Sequence, residues 1–140
     1  MDRIAVKAGP YEFLARLERD LAPRTCAVFS GLLPFRNQLV HVRWSGEAVW
    51  IPLGDFDLGG LAPENQTSYP APGQVLLYPG GASEVEILIA YGGVRFASKV
   101  GQLAGNHFLT IVEGIEKLPE LGKTTLRRGA QDVVFEAATA

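Results

Sequence analysis

The chain has 140 residues, 47% of them hydrophobic, with 13 basic and 15 acidic side chains and a formal net charge of -2. One compact domain spanning 1–140 is therefore expected, and the interspersed charge argues against nucleic acid or an anionic membrane as a partner. Cys26 is the only cysteine, which excludes an internal disulfide and a cysteine-built metal site and suits a reducing compartment.

In chain order, the opening MDRIAVKAG has too short an apolar stretch for a secretory signal, and no apolar run reaches membrane-spanning length, so a soluble, cytoplasmic protein is expected. Ile4 and Val6 alternate with Arg3, Ala5 and Lys7 as in a half-buried strand that ends at Gly9-Pro10. From Tyr11 to Glu18 the pattern fits two periods: Phe13, Ala15 and Leu17 alternate, while Phe13, Leu14, Leu17 and Leu21 also make a helical stripe. Pro23 then suits a first helical position, Ala22, Cys26, Phe29 and Leu33 share one face, and Pro34 stops the run.

Beyond that helix the grammar is β. Val40, Val42 and Trp44 alternate with His41 and Arg43, Ser45-Gly46 breaks the run, and residues 48–53 make the returning strand of a hairpin. GDFDLGGLAP (54–63) reads as a loop, as does SYPAPG (68–73), whose prolines would remove ladder donors from a central strand. Residues 74–78, 85–91, 107–112 and 133–136 read as further strands, and 114–128 as a weak helical pattern interrupted by Pro119. Many short strands with one or two helices predict a mainly β fold, a small closed barrel without exposed strand edges.

The segment containing Asp20, Ala22, Pro23, Arg24, Thr25 and Phe29 resembles the opening of cyclophilins, a β-hairpin followed by a helix of pattern acidic-x-[AV]-P-[KR]-T-x-x-x-F. The resemblance implies a second strand over 12–18 in place of the helical alternative. WSGEAVWIPLG, ENQTSYPAPG, LLYPGG and AYGGVRFASKVGQLAGNHFLTI are similar to the DUF3830 family of bacterial cyclophilin-like proteins of unknown function. That likeness spans nearly the whole chain and implies the eight-stranded cyclophilin-like barrel. The F-x-R-x-I-x-x-F-x-x-Q-G-G-D type string of prolyl isomerases is absent, and Phe35-Arg36-Asn37-Gln38 imitates it without its spacing or its ending. Prolyl isomerisation is accordingly the least favoured activity, since function belongs to the site and not to the scaffold.

The expected task is binding of a small polar or carboxylated metabolite in an aromatic-lined pocket, with Trp44, Trp50, Tyr69, Tyr91 and Phe96 as walls and Glu64, Asn65 and Arg95 as polar keys. If the protein is an enzyme, cofactor-independent acid/base chemistry is expected: isomerisation, cyclisation or lyase action. Glu47, between two tryptophans, and His107, at the head of a strand, would then move protons. Each has a structural alternative. Glu47 can be a turn carboxylate, Asn65, Thr67 and Ser68 can close turns, Arg95 can be a surface arginine and His107 a satisfied strand histidine. No metal site is expected, because no histidine-ligand spacing occurs, and Cys26, on the apolar stripe, reads as a small buried hydrophobe. The rival class is a non-catalytic binding or assembly protein, a homo-oligomer whose aromatic loops form a subunit interface.

Overall fold

The structure, a computed structural model, describes residues 2–138. Strands β1 (Arg3–Ala8) and β2 (Tyr11–Leu17) form the opening hairpin, so the ambiguous second segment is a strand and not a helix. Helix α1 (Pro23–Ser30) follows, then β3 (Phe35–His41) and β4 (Gly46–Gly54), with β5 (Gln66–Thr67) a two-residue strand beyond the long loop. The rest comprises β6 (Gln74–Tyr78), β7 (Val85–Val94), the small hairpin β8 (Ala97–Ser98) and β9 (Gly101–Gln102), β10 (Gly105–Glu113), α2 (Leu118–Arg128) and β11 (Gln131–Ala137). Two local expectations are corrected. Pro119 sits in the first turn of α2, where its missing N–H costs nothing, and starts that helix instead of interrupting it. β7 runs on past the expected end at residue 91, through Gly92 and Gly93 to Val94.

Eight antiparallel strands run in the order β2-β1-β11-β3-β4-β7-β6-β10, and β10 pairs back to β2, closing the barrel. Period-two alternation puts Ile4, Val6, Phe13, Ala15, Val49, Ile51, Ile87, Ile89, Val133 and Phe135 into one fully buried cluster that fills it. Phe29 of α1 plugs one end, with its ring 5.3 Å from Phe135 in an edge contact and 4.9 Å from Phe108. Leu118 and Leu121 of α2 cover the other end.

Strands β4, β6 and β7 are buried on both faces. Outside the barrel Ala48, Leu76, Tyr78 and Leu88 form a second apolar cluster with Phe96 and Leu103, which flank the β8–β9 hairpin. This explains the near-continuous apolar runs VLLY and VEILIA, which a sheet solvated on one face would not tolerate. The hairpin that roofs this second cluster also walls the candidate site.

Candidate functional site

The groove lies on the outer face of the barrel, between the β3–β4 turn, the β8–β9 hairpin and the loop before β7, and has a volume of about 690 Å³. Ser45, itself 4% exposed, joins two of these walls. Its hydroxyl donates to the Ala97 carbonyl and accepts the Ala97 N–H, both at 3.0 Å, and its carbonyl accepts the Arg95 N–H at 3.0 Å. Val42, Trp44 and Trp50 supply apolar lining, while Arg43 and Lys99 bring positive charge. Trp50 opposes Val40 on β3 and Leu88 on β7, which fixes its ring outside the barrel.

Glu86 also lines this groove and is 5% exposed. It shares the outward phase of Leu88 and Ala90 within VEILIA. Its cross-strand neighbours are Pro52, which has no N–H to give, and Tyr78, whose hydroxyl accepts the Ala82 N–H at 3.0 Å. Among the described residues no hydrogen bond or ion pair reaches its carboxyl, and no fully buried side-chain oxygen lacks a partner, so the carboxyl oxygens meet the groove. Burial, and then the neighbouring charge of Glu84, push its pKa from 4.5 up to about 8. At neutral pH it therefore carries a proton.

A second polar group sits at the barrel mouth beneath α2, where His41 also borders the groove. His41 Nδ1 is 2.8 Å from the Val42 carbonyl, which can only accept, so that nitrogen holds the proton, and Nε2 takes a 2.7 Å hydrogen bond from the Tyr91 hydroxyl. The Tyr91 ring lies against Gly122 of α2, where an added Cβ would stand 2.5 Å from it. Burial and the adjacent Glu47 raise the Tyr91 pKa. Glu47 is exposed, and its Oε1 accepts the Gly93 N–H at 2.9 Å across a gap that exists because Gly92 has no side chain.

The remaining sequence candidates occupy other places. Glu64 faces α1, which has no side-chain N-cap of its own. Its Oε1 accepts the Thr25 N–H at 2.6 Å and the Thr25 hydroxyl at 2.7 Å, while buried Asn106 donates to Thr25 Oγ1 and accepts the Glu64 N–H. Asn65, at φ 47, donates its side-chain amide to the His107 carbonyl. His107 donates from Nε2 to Thr110 Oγ1 at 2.7 Å, and that hydroxyl donates to Glu18 at 2.6 Å, the outermost bond of the chain joining Glu18 to Arg16. Desolvation lowers the His107 pKa, and Glu18 is lowered by its bonds to Thr110 and Arg16 against the opposing effect of burial. Tyr69 is 64% exposed and reaches Gln102; Arg95 is exposed outside the groove; Phe96 is wholly buried beneath it.

Of the ten candidates, Trp44 and Trp50 thus line the groove, Glu47 and Tyr91 meet at the barrel mouth, and Glu64 and Asn65 brace loops. Sequence reasoning passed over Arg43, Lys99 and Glu86. Only Glu86 had a signal, a lone acid at an outward position in an apolar strand. A shallower depression of about 680 Å³ lies between loop 54–61 and residues 79–85, where Asp57 is engaged by the Gly59 N–H of its own turn and no basic residue enters. Cys26 donates to the Phe108 carbonyl, and burial pushes its pKa up to about 11, which leaves it an unreactive thiol. Among the described residues no three His, Cys, Asp or Glu side chains gather as metal ligands, and no helix is long and apolar enough to cross a membrane.

A closed eight-stranded barrel capped by two helices defines a cyclophilin-like protein. The family model described as a protein of unknown function, DUF3830, matches residues 4–137, and the chain belongs to that family. No functionally curated protein matches it. Among solved structures it is similar to McbB in complex with tryptophan, at 19% identity and a TM-score of 0.77 over 98% of this chain and 46% of McbB, so it spans about half the length of that protein. It is also similar to the hypothetical protein AF2241 of Archaeoglobus fulgidus, with 17% identity, a TM-score of 0.65 and 98% and 95% of the two chains covered. A cyclophilin-type peptidyl-prolyl cis-trans isomerase of Cryptosporidium parvum, studied in the presence of the dipeptide Ala-Pro, shares 12% identity at a TM-score of 0.65 over 99% of each chain.

Proposed function

We propose that this protein binds a small molecule with an apolar body and a carboxylate, held in the outer groove. The observation that carries this reading is the placement of Trp44 and Trp50 with Arg43 and Lys99 around one space of about 690 Å³, a volume suited to a metabolite. The indoles take the apolar part, and the guanidinium and ammonium take the anion. McbB, which shares this fold over 46% of its length, is known in complex with tryptophan, a ligand of the size proposed here. Binding is favoured over turnover because Glu47 and His107 stand outside the groove. For prolyl isomerisation the expected outcome is a rate on a proline peptide no higher than background.

Both tryptophans of the chain lie in the groove, so their emission reports its occupancy directly. Titration with 3-phenylpropionate, excited where only indole absorbs, should give a saturable change. The double variant Arg43→Ala, Lys99→Ala should weaken it about tenfold or more, as loss of charge-assisted contacts requires. Absence of saturation up to about 10 mM, well beyond a useful metabolite affinity, would overturn the reading.

A second reading, self-association through the same rim, rests on the exposure of Trp44 at 58%, Val100 at 61% and Tyr69 at 64%. Light scattering on the wild type and a Val100→Glu variant separates the two: a dimer that the variant dissociates favours assembly, a monomer throughout leaves only the ligand.

A further inference from the structure

We propose that Glu86 is the seat for an ammonium group, so that the ligand of the groove is a zwitterion, an amino acid with an apolar side chain, and not a simple carboxylic acid. The inference rests on the groove reading above and adds the second charge of the ligand. Its basis is geometric: a carboxyl on an apolar strand face, 5% exposed, unpartnered among the described residues, lining the groove and not fully closed off from it. A buried carboxyl without a partner is costly, and such groups persist where a ligand completes them.

The surroundings favour a cation at this point. From the approach to β7, Glu84 lines the groove and adds a second negative group. From β4 the facing residues are Pro52 and Trp50, neither charged, and from β6 Tyr78, whose hydroxyl is engaged with Ala82. Arg43 of the β3–β4 turn and Lys99 of the β8–β9 hairpin line the groove, as does His41, but among the described residues none of the three pairs with Glu86, while the charge of Glu84 raises its pKa. An amino acid matches this layout, with its ammonium on Glu86, its side chain along Trp50 and its carboxylate toward Arg43 and Lys99.

The chemistry has a measurable signature. The empty groove holds Glu86 protonated at pH 7, since its pKa is about 8. An arriving ammonium stabilises the carboxylate, so the carboxyl proton leaves to solvent and an ammonium–carboxylate pair replaces it. Binding of a cation should therefore release close to one proton per site.

The experiment uses three probes on the whole chain: 2-phenylethylamine, 3-phenylpropionate and L-phenylalanine. Affinities come from tryptophan emission, and proton release from calorimetry at pH 7 in two buffers of different ionisation heat. Both amines should release close to one proton, and 3-phenylpropionate none. Glu86→Gln should abolish the release and weaken the amines about tenfold while sparing 3-phenylpropionate, as expected for loss of one charged hydrogen-bonded pair. In the wild type, with no variant needed, the affinity for 2-phenylethylamine should rise at least about tenfold from pH 6 to pH 8.5 as Glu86 ionises. Amine binding without proton release, pH-independent amine affinity, or binding of 3-phenylpropionate alone would each overturn the role of Glu86 and leave the groove reading standing. Binding of no probe would overturn both.

Discussion

Two acidic residues of the same barrel, half-buried Glu64 and buried Glu86, differ completely in their partners. At the start of α1, Glu64 accepts both donors of Thr25, Asn106 closes the ring of hydrogen bonds, and every group has what it needs. In the outer groove Glu86 has no partner among the described residues, only the repulsion of Glu84. A satisfied buried network is self-sufficient and belongs to the architecture; an unsatisfied carboxyl facing open space is a cost the fold carries for something outside itself. The comparison separates the ten sequence candidates better than residue type does, because Glu64, Asn65 and His107 all belong to closed networks.

The largest test of this contrast is stability against pH. The folded chain holds the Glu86 proton with a pKa of about 8, and the unfolded chain releases it near 4.5. Stability from this group is thus fully present below pH 4.5, is lost as pH rises through 4.5 to 8, and is level above that. The whole loss is on the order of 5 kcal/mol, of which about 4 kcal/mol falls between pH 5 and pH 9. Urea unfolding at pH 5 and pH 9 measures it, and Glu86→Gln, neutral at both, should remove most of the difference. Equal slopes with pH in the wild type and the variant would break the comparison on its open side.

The closed side predicts a somewhat smaller effect at neutral pH. Glu64→Ala strands the N–H and the hydroxyl of wholly buried Thr25 and leaves α1 without its borrowed cap, costing about 3 kcal/mol. Because Glu64 lies outside the groove, ligand affinity should be unchanged once the variant is folded. A loss below about 0.5 kcal/mol in urea unfolding, the range of an ordinary surface change, would show that solvent satisfies Thr25 as well as Glu64 does.

The barrel was legible because its evidence is local: Ile4 and Val6, Phe13 and Ala15, and Val40 and Val42 each show period two within a few residues. The choice of strand for 11–17 needed the family likeness, since both periods fit those residues. The site was less legible because its contacts join distant parts of the chain. Thr25 meets Glu64 39 positions away, and His41 meets Tyr91 50 away. Whether the outer face of VEILIA is covered depends on how residues 94–104 fold back, which no periodicity inside the strand reveals. The two tryptophans, singled out in the sequence by size and setting, line the groove in the structure, whereas Arg43 and Lys99 have no local mark to distinguish them from any solvated cation.

The barrel mouth offers the smallest and most discriminating test, because it mixes both kinds of site. Tyr91 donates to His41 Nε2 and its ring packs on Gly122, which makes it a structural bolt between β7, β3 and α2. Tyr91→Phe retains that packing and removes one half-buried hydrogen bond, so the expected cost is about 1 kcal/mol, with no effect on affinity in the groove. Removing the phenol also takes away the donor that occupies the His41 Nε2 lone pair. A loss well below that size in urea unfolding would mean that the edge contact of the two rings, with centroids 5.7 Å apart, and not the hydrogen bond, holds His41 in place. A Tyr91→Phe variant that lost groove affinity tenfold would link the two faces of β7 and make the closed mouth part of the open site.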